Sequence, residues 1–198
     1  MNKLTSTQLI FLFFGVWSVD LIINGINSYR DAFVPSIGLD HRIPFVPAFI
    51  YLYSIYFPLV VAPLFIFRRA PAHLRCYVFS SLFVMIVSYM VFLLFPTRLI
   101  RVPVDSSTLA MGVTLAYQSV VGPYNLLPSL HVSMLILSLL SLWRYKEILG
   151  RLFLIPNFLS MISVVLTKQH YIMDVITALP LSFVAFLIFR KGMHDTFE

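Results

Sequence analysis

The chain has 198 residues, of which 60% are hydrophobic and 11% charged, with a mean hydropathy of +0.91 and a net charge of +6. A soluble domain carries about 45–50% apolar and about 25% charged residues, so this chain has too few charges to cover a water-facing surface and too much apolar area to remain disordered. Its 14 basic residues lie among long runs of Leu, Ile, Phe and Val, which points to membrane topology rather than a nucleic-acid-binding face; the single cysteine, Cys76, excludes an internal disulfide and a cysteine metal cluster.

Six apolar runs follow in chain order, at about residues 8–26, 45–67, 74–95, 126–143, 152–167 and 171–189. Each approaches the ~17–25 residues a spanning helix needs, and none alternates as a membrane strand does. The whole chain, 1–198, reads as one all-α integral membrane domain, a bundle of six transmembrane helices. The first run reads as a retained helix and not a cleaved leader, because Asp20-Leu21-Ile22-Ile23-Asn24 is no small-residue cleavage site. Pro58 and Pro63 should kink the second. The segment from Thr97 to Asn125 is the one long connection, and its mildly apolar middle suits an interfacial helix or a lid.

The basic residues of alternate loops set the orientation. Lys3, Arg68, Arg69, Arg75, Arg144, Lys146, Arg151, Arg190 and Lys191 fall on one side, and Arg30, Arg42, Arg98, Arg101 and Lys168 on the other. Nine against five places both termini in the cytoplasm.

Three polar clusters then share the extracytoplasmic side: Phe95–Pro103 with Arg98 and Arg101, Pro128–His131, and Thr167–Asp174. Ionisable residues at such depth are costly and point to function. His170 and Asp174 are four apart, one helical turn, so the carboxylate can accept from one imidazole nitrogen and leave the other with a free lone pair. The same spacing suits a shared metal ion, with His131 as a third ligand, although the basic residues nearby oppose a cation. Pro128 suits the first position of a helix, which would leave the N–H groups of Ser129, Leu130 and His131 facing an anionic oxygen. With Arg98, Arg101 and Lys168, this inventory fits phosphoryl transfer. Asp20 suits a pairing with a polar loop residue or a place on a water-filled groove, and Asp40, His41 and Arg42 suit an interfacial turn or, alternatively, a headgroup contact. Asn125 either caps the fourth helix or shapes a headgroup pocket with Tyr124, and Tyr51, Tyr53 and Tyr56 suit an interfacial aromatic belt.

PSLH followed by HYIMD resembles the second and third signatures of the type 2 phosphatidic acid phosphatase superfamily, PSGH and SRxxxxxHxxxD. Leu130 stands at the glycine, and Ser163 keeps its spacing to His170 while Val164 replaces the arginine. In the first signature, KxxxxxxRP, Arg101 aligns with the arginine, Leu94 with the lysine and Val102 with the proline. Arg98 and Lys168 stand as substitutes for the lost charges. TKQHYIMDVITA and PSLHVS are further similar to inositol phosphorylceramide and sphingomyelin synthases.

The resemblance implies a six-helix membrane bundle with a vanadium-haloperoxidase-like, acid-phosphatase-like core, in a bacterial inner membrane. It implies His170 as nucleophile forming a phosphohistidine, Asp174 holding it, and His131 as general acid and then base. Arg98, Arg101, Ser129, Leu130 and Lys168 would bind the phosphoryl oxygens, with a lipid phosphate as substrate and no cofactor. Hydrolysis makes the protein a lipid phosphatase; transfer to a lipid alcohol makes it a headgroup phosphotransferase with the same residues. A non-enzymatic transporter or assembly factor is the third reading. Lipid identity and oligomeric state have no signal in the sequence.

Overall fold

A computed structural model describes residues 4–191, so Lys3 and His194 lie outside the described residues. The described chain is helical, and its β-pairing is limited to two isolated bridges, Phe33 with Thr97 and Arg98 with Tyr124.

Thr5 caps the first helix, α1 (Ser6–Trp17), through a reciprocal pair with Gln8. At Ser18 the run breaks, where the hydroxyl bonds back to the Gly15 carbonyl, and α2 (Val19–Asn27) continues it. The second run is more divided: a 3-10 turn at Pro47–Phe49, then α3 (Ile50–Ser54), α4 (Tyr56–Ile66) and a 3-10 turn at Phe67–Arg69. Pro58 supplies the reason for the break between α3 and α4, since it has no N–H for the Ser54 carbonyl one turn back. Pro63 frees the Leu59 carbonyl in the same way, and the Ser138 hydroxyl takes that carbonyl up at 2.7 Å from a neighbouring helix.

The remaining helices are α5 (Pro71–Leu94), α6 (Leu109–Val120), α7 (Leu130–Tyr145), α8 (Glu147–Leu166) and α9 (Ile172–Phe189). Among the described residues, five segments are long and apolar enough to cross a membrane: Ser6–Asn27, Pro47–Arg69, Pro71–Leu94, Glu147–Leu166 and Ile172–Phe189. The fourth run is covered by α7, which is shorter because the chain from Leu126 to Ser129 belongs to the loop that shapes the site. Large apolar side chains stand exposed along these helices, among them Phe11, Leu21, Phe65, Ile86, Ile155 and Phe183, as lipid-facing surface requires. The protein is an integral membrane protein.

In the bundle, α7 packs against α4, α5, α8 and α9, and α5 against α1 and α9. Serines line the close contacts: Ser80, Ser81, Ser88, Ser133, Ser138, Ser141, Ser160, Ser163 and Ser182 are all buried. Small residues let membrane helices approach where no hydrophobic force drives them together. Between α7 and α8 the chain turns on Lys146 alone, and Gly150 permits it, because a Cβ there would stand 2.6 Å from the Trp143 ring. The expected interfacial helix is α6, which packs on α3 and on the 3-10 turn before it.

Two ends result. Phe67, His73 and Tyr145 stack together at one, where the Ser6 hydroxyl also bonds the Arg68 carbonyl. The chain from Gly25 to Phe45, the Thr97–Asn125 segment and the starts of α7 and α9 meet at the other.

Candidate active site

At the start of α7, Ser129 is the helix cap: its backbone is extended and its hydroxyl accepts from the Val132 N–H. The helix therefore begins at Leu130, not at Pro128, and one part of the sequence-based expectation changes. The Ser129 hydroxyl accepts as the cap and keeps its O–H to donate, but the Ser129 N–H is taken: it donates to the Asp174 carbonyl at 3.0 Å, which ties α7 to α9. The N–H groups of Leu130 and His131, in the first turn, are the ones without a carbonyl of their own helix to bond.

His170 arrives by a reversal at the end of α8. Lys168 adopts a left-handed backbone (φ 53°), and the N–H groups of Gln169 and His170 both return to the Val164 carbonyl at 2.9 and 3.0 Å. Asp174 stands in the first turn of α9, where the helix dipole favours a carboxylate. One of its oxygens, Oδ2, accepts from the Tyr171 N–H at 2.8 Å and from His170 Nδ1 at 3.2 Å. A second carboxylate holds the same helix start from outside: buried Asp40 accepts from the N–H groups of Ile172 at 2.9 Å and Ile37 at 2.8 Å.

The histidines meet directly. His131 Nδ1 lies 3.1 Å from His170 Nε2, and the Tyr53 hydroxyl lies 2.8 Å from His131 Nε2. The Tyr53 and Tyr56 rings pack on the His131 ring, with centroids 5.1 and 4.4 Å away. One proton arrangement satisfies the whole line. Because Asp174 accepts, His170 carries its proton on Nδ1 and keeps a lone pair on Nε2; His131 donates to that lone pair from Nδ1, and Tyr53 donates to His131 Nε2.

The three predicted cations are placed apart from this line. Arg101 donates to the Gln118 and Val121 carbonyls, closing the C-terminal end of α6, and partial burial lowers its pKa. Lys168 donates to the Asp40 carbonyl at 2.7 Å. Arg98 is exposed; its backbone bonds Phe33 and pairs with Tyr124, and its side chain has no hydrogen-bond or ion-pair partner among the described residues. Val164, at the arginine position of the signature, is buried against Val132, Ile136 and Ala178. Tyr171, beside His170, accepts from the Ile100 N–H, and burial raises its phenol above the usual range.

A cavity of about 50 Å³ adjoins the histidines, lined among others by Asp20, Asn24, Tyr53, Asn125, His131 and His170. A larger one, about 650 Å³ and almost wholly apolar, lies among α7, α8 and α9, with Val132, Ile172 and Arg42 in its lining. Asn125 does not cap α7: it takes a left-handed backbone (φ 64°), and its side chain bonds Asp20 and Asn27. Sequence reasoning missed Tyr53, read as belt, and Asp40, read as a turn. It expected a polar loop partner for Asp20, and Asn125 is that partner at 2.9 Å; the rest of that network had a visible signal, since Asp20, Asn24 and Asn27 stand at i, i+4 and i+7 on one face of an apolar run.

Residues 37–188 match the family model of the PAP2 superfamily. The chain belongs to the PAP2 superfamily. The match spans both histidines, Asp174, Asp40 and Tyr53, and begins after α2. No curated protein and no solved structure matches the chain. Membership supports a phosphatase-type lipid enzyme in general.

Proposed function

We propose that the protein is a membrane lipid phosphatase that cleaves a phosphomonoester or diphosphate lipid through a phosphohistidine on His170. The observation that carries this reading is the single line of hydrogen bonds from Tyr53 through His131 and His170 to Asp174, which leaves one nitrogen, His170 Nε2, as the free nucleophile once the two rings part.

In the first step the Nε2 lone pair bonds phosphorus and the bond to the lipid oxygen breaks. His131, charged when the anionic substrate binds, gives its Nδ1 proton to the leaving oxygen and becomes neutral with its remaining proton on Nε2, donated to the Tyr53 oxygen. A hydroxyl suits that position because it both donates and accepts, so Tyr53 serves His131 before and after the transfer. In the second step water attacks phosphorus, His131 Nδ1 takes its proton, and the N–P electrons return to His170. Asp174 faces the imidazole while it carries positive charge. The N–H groups of Leu130 and His131 and the unpaired Arg98 supply charge for the phosphoryl oxygens; Ser129, Arg101 and Lys168 support the loops around them. The apolar cavity suits a hydrocarbon chain of the lipid, and Arg42 in its lining offers a charge to the headgroup.

The site faces the extracytoplasmic side of a bacterial inner membrane in this reading. Arg68, Arg69, Arg75, Arg144 and Arg151 gather toward the opposite end of the bundle, as the cytoplasmic end of a membrane protein requires.

The test is purified protein in detergent, given lipid monophosphates and diphosphates in the presence of a chelator. Phosphate release that persists with chelator and disappears in His170→Ala supports the proposal. Activity that survives His170→Ala, or that chelation abolishes and a divalent ion restores, refutes it.

A further inference from the structure

The small cavity beside the histidines has a wall that phosphate hydrolysis does not use. It is built from α2, ahead of the residues shared with the PAP2 superfamily. Asp20 and Asn24 line the cavity together with His131 and His170. Behind them runs a second chain of hydrogen bonds. Arg30 Nη1 donates to Asn27 Oδ1 at 3.1 Å, Asn27 Nδ2 to Asn125 Oδ1 at 2.9 Å, and Asn125 Nδ2 to Asp20 Oδ1 at 2.9 Å. Every donor points toward Asp20. A guanidinium stands at the outer end, a carboxylate at the inner end, and both amide dipoles align between them, an order that favours a negative charge on Asp20. Asn24 is fixed as well: its Nδ2 donates to the Tyr124 carbonyl at 3.1 Å, and Gly122 leaves room for its Oδ1, which a Cβ would meet at 1.7 Å.

A carboxylate has no proton to offer a phosphoryl oxygen and repels it, so this wall contributes nothing to phosphate binding. It suits a ligand that donates. The cavity of about 50 Å³ admits groups of hydroxyl or water size. We propose that Asp20 is the acceptor-binding residue of a phosphotransferase reaction, holding one hydroxyl of a polyol while a neighbouring hydroxyl attacks the phosphohistidine. The inference rests on the phosphohistidine reading above and changes only its second step. The attacking oxygen bonds phosphorus, its proton passes to His131 Nδ1, and the N–P electrons return to His170. A simple alcohol, whose one O–H proton passes to His131, has no such anchor.

The experiment measures how one intermediate divides. Protein in detergent micelles receives a labelled lipid phosphate, and transfer product is compared with inorganic phosphate in the presence of glycerol, ethanol or a monoacylglycerol. Because both products come from the same phosphoenzyme, their ratio does not depend on how much protein is folded. In the wild type, a diol should capture the phosphoryl group about tenfold better than ethanol at equal concentration, the worth of one charge-assisted hydrogen bond. Capture by glycerol identifies a free polyol, and capture by the monoacylglycerol alone identifies a lipid headgroup. Asp20→Asn presents an amide N–H₂ to the cavity once Asn125 holds its oxygen, so the diol preference should collapse to the ethanol ratio. Asn125→Gly, which keeps the left-handed backbone, should lower it part of the way. Equal capture of glycerol, monoacylglycerol and ethanol by the wild type overturns the proposal. So does a diol preference unchanged in both variants. A wild type that forms no labelled phosphoenzyme overturns the phosphohistidine reading itself, and is recognised separately by that signal.

Discussion

Asp174→Asn tests the site most sharply, because the geometry says which part of the carboxylate's work survives. Two donors, the Tyr171 N–H at 2.8 Å and His170 Nδ1 at 3.2 Å, point at the same oxygen, Oδ2, and the other oxygen is buried without a partner. An asparagine must place its carbonyl oxygen where both donors converge, and its N–H₂ falls on the empty side. The His170 tautomer is therefore kept, unlike the Asp-to-Asn exchange in a serine protease triad, which loses about 10⁴ in rate through the wrong tautomer. What disappears is the negative charge opposite an imidazole that turns positive as it bonds phosphorus. Two unit charges 3.2 Å apart attract by roughly 5 kcal/mol at an effective dielectric of about 20. With about half of that charge developed in the transition state, the loss is roughly 2–3 kcal/mol, or about 30–150-fold in rate. The assay is rapid-quench formation of labelled phosphoenzyme in a single turnover, which isolates the first step. A loss of 10⁴ or more would show that the tautomer had reversed and that the two donors do not share one oxygen. A loss under about threefold would show that Asp174 does not face the charged imidazole.

Three further outcomes follow from the same structure. Tyr53→Phe keeps the ring packing on His131 and removes its partner at Nε2, so kcat should fall about 5–20-fold with KM little changed, and steady-state kinetics on a lipid phosphate would read this directly. Asp40→Ala strands the N–H groups of Ile37 and Ile172 and should cost about 2–3 kcal/mol, seen as a lower Tm in detergent; an unchanged Tm would show that the carboxylate does not hold the start of α9. Gly150→Ala drives a Cβ to within 2.6 Å of the Trp143 ring and 2.7 Å of its backbone Cα, and the expected cost is about 1–3 kcal/mol with little effect on the rate per folded molecule, measured by thermal unfolding beside a phosphoenzyme titration.

Local order carried most of the fold into view. Length and apolar runs announce membrane helices because a bilayer allows no other unbroken backbone of that composition, whereas His170 lies in the reversal ahead of α9, so its bond to Asp174 comes from the loop folding onto the helix start and not from the helical turn that the spacing suggested. The helix starts were misplaced where a cap decided them: Ser129 outcompeted Pro128 as the boundary of α7, and its N–H was claimed by a carbonyl 45 residues on, at Asp174. Arg98, Arg101 and Lys168 point to phosphate binding in the sequence because they share the predicted extracytoplasmic side with the histidines and stand at or near signature positions. Arg101 and Lys168 instead satisfy carbonyls left open by α6 and by the Asp40 turn, a demand that exists only once those segments are folded against each other.

By itself, then, the sequence determined that this protein lives in a membrane and resembles phosphatase-type lipid enzymes, and it singled out His131, His170 and Asp174 as candidates, since each of these rests on composition or on short local patterns. Only the tertiary structure decided which other groups surround them. Tyr53 reaches His131 across 78 residues, and Asp20 reaches Asn125 across 105. Side chains that far apart meet through helix packing, in which buried serines and freed carbonyls set the fit, and no spacing along the chain encodes that meeting.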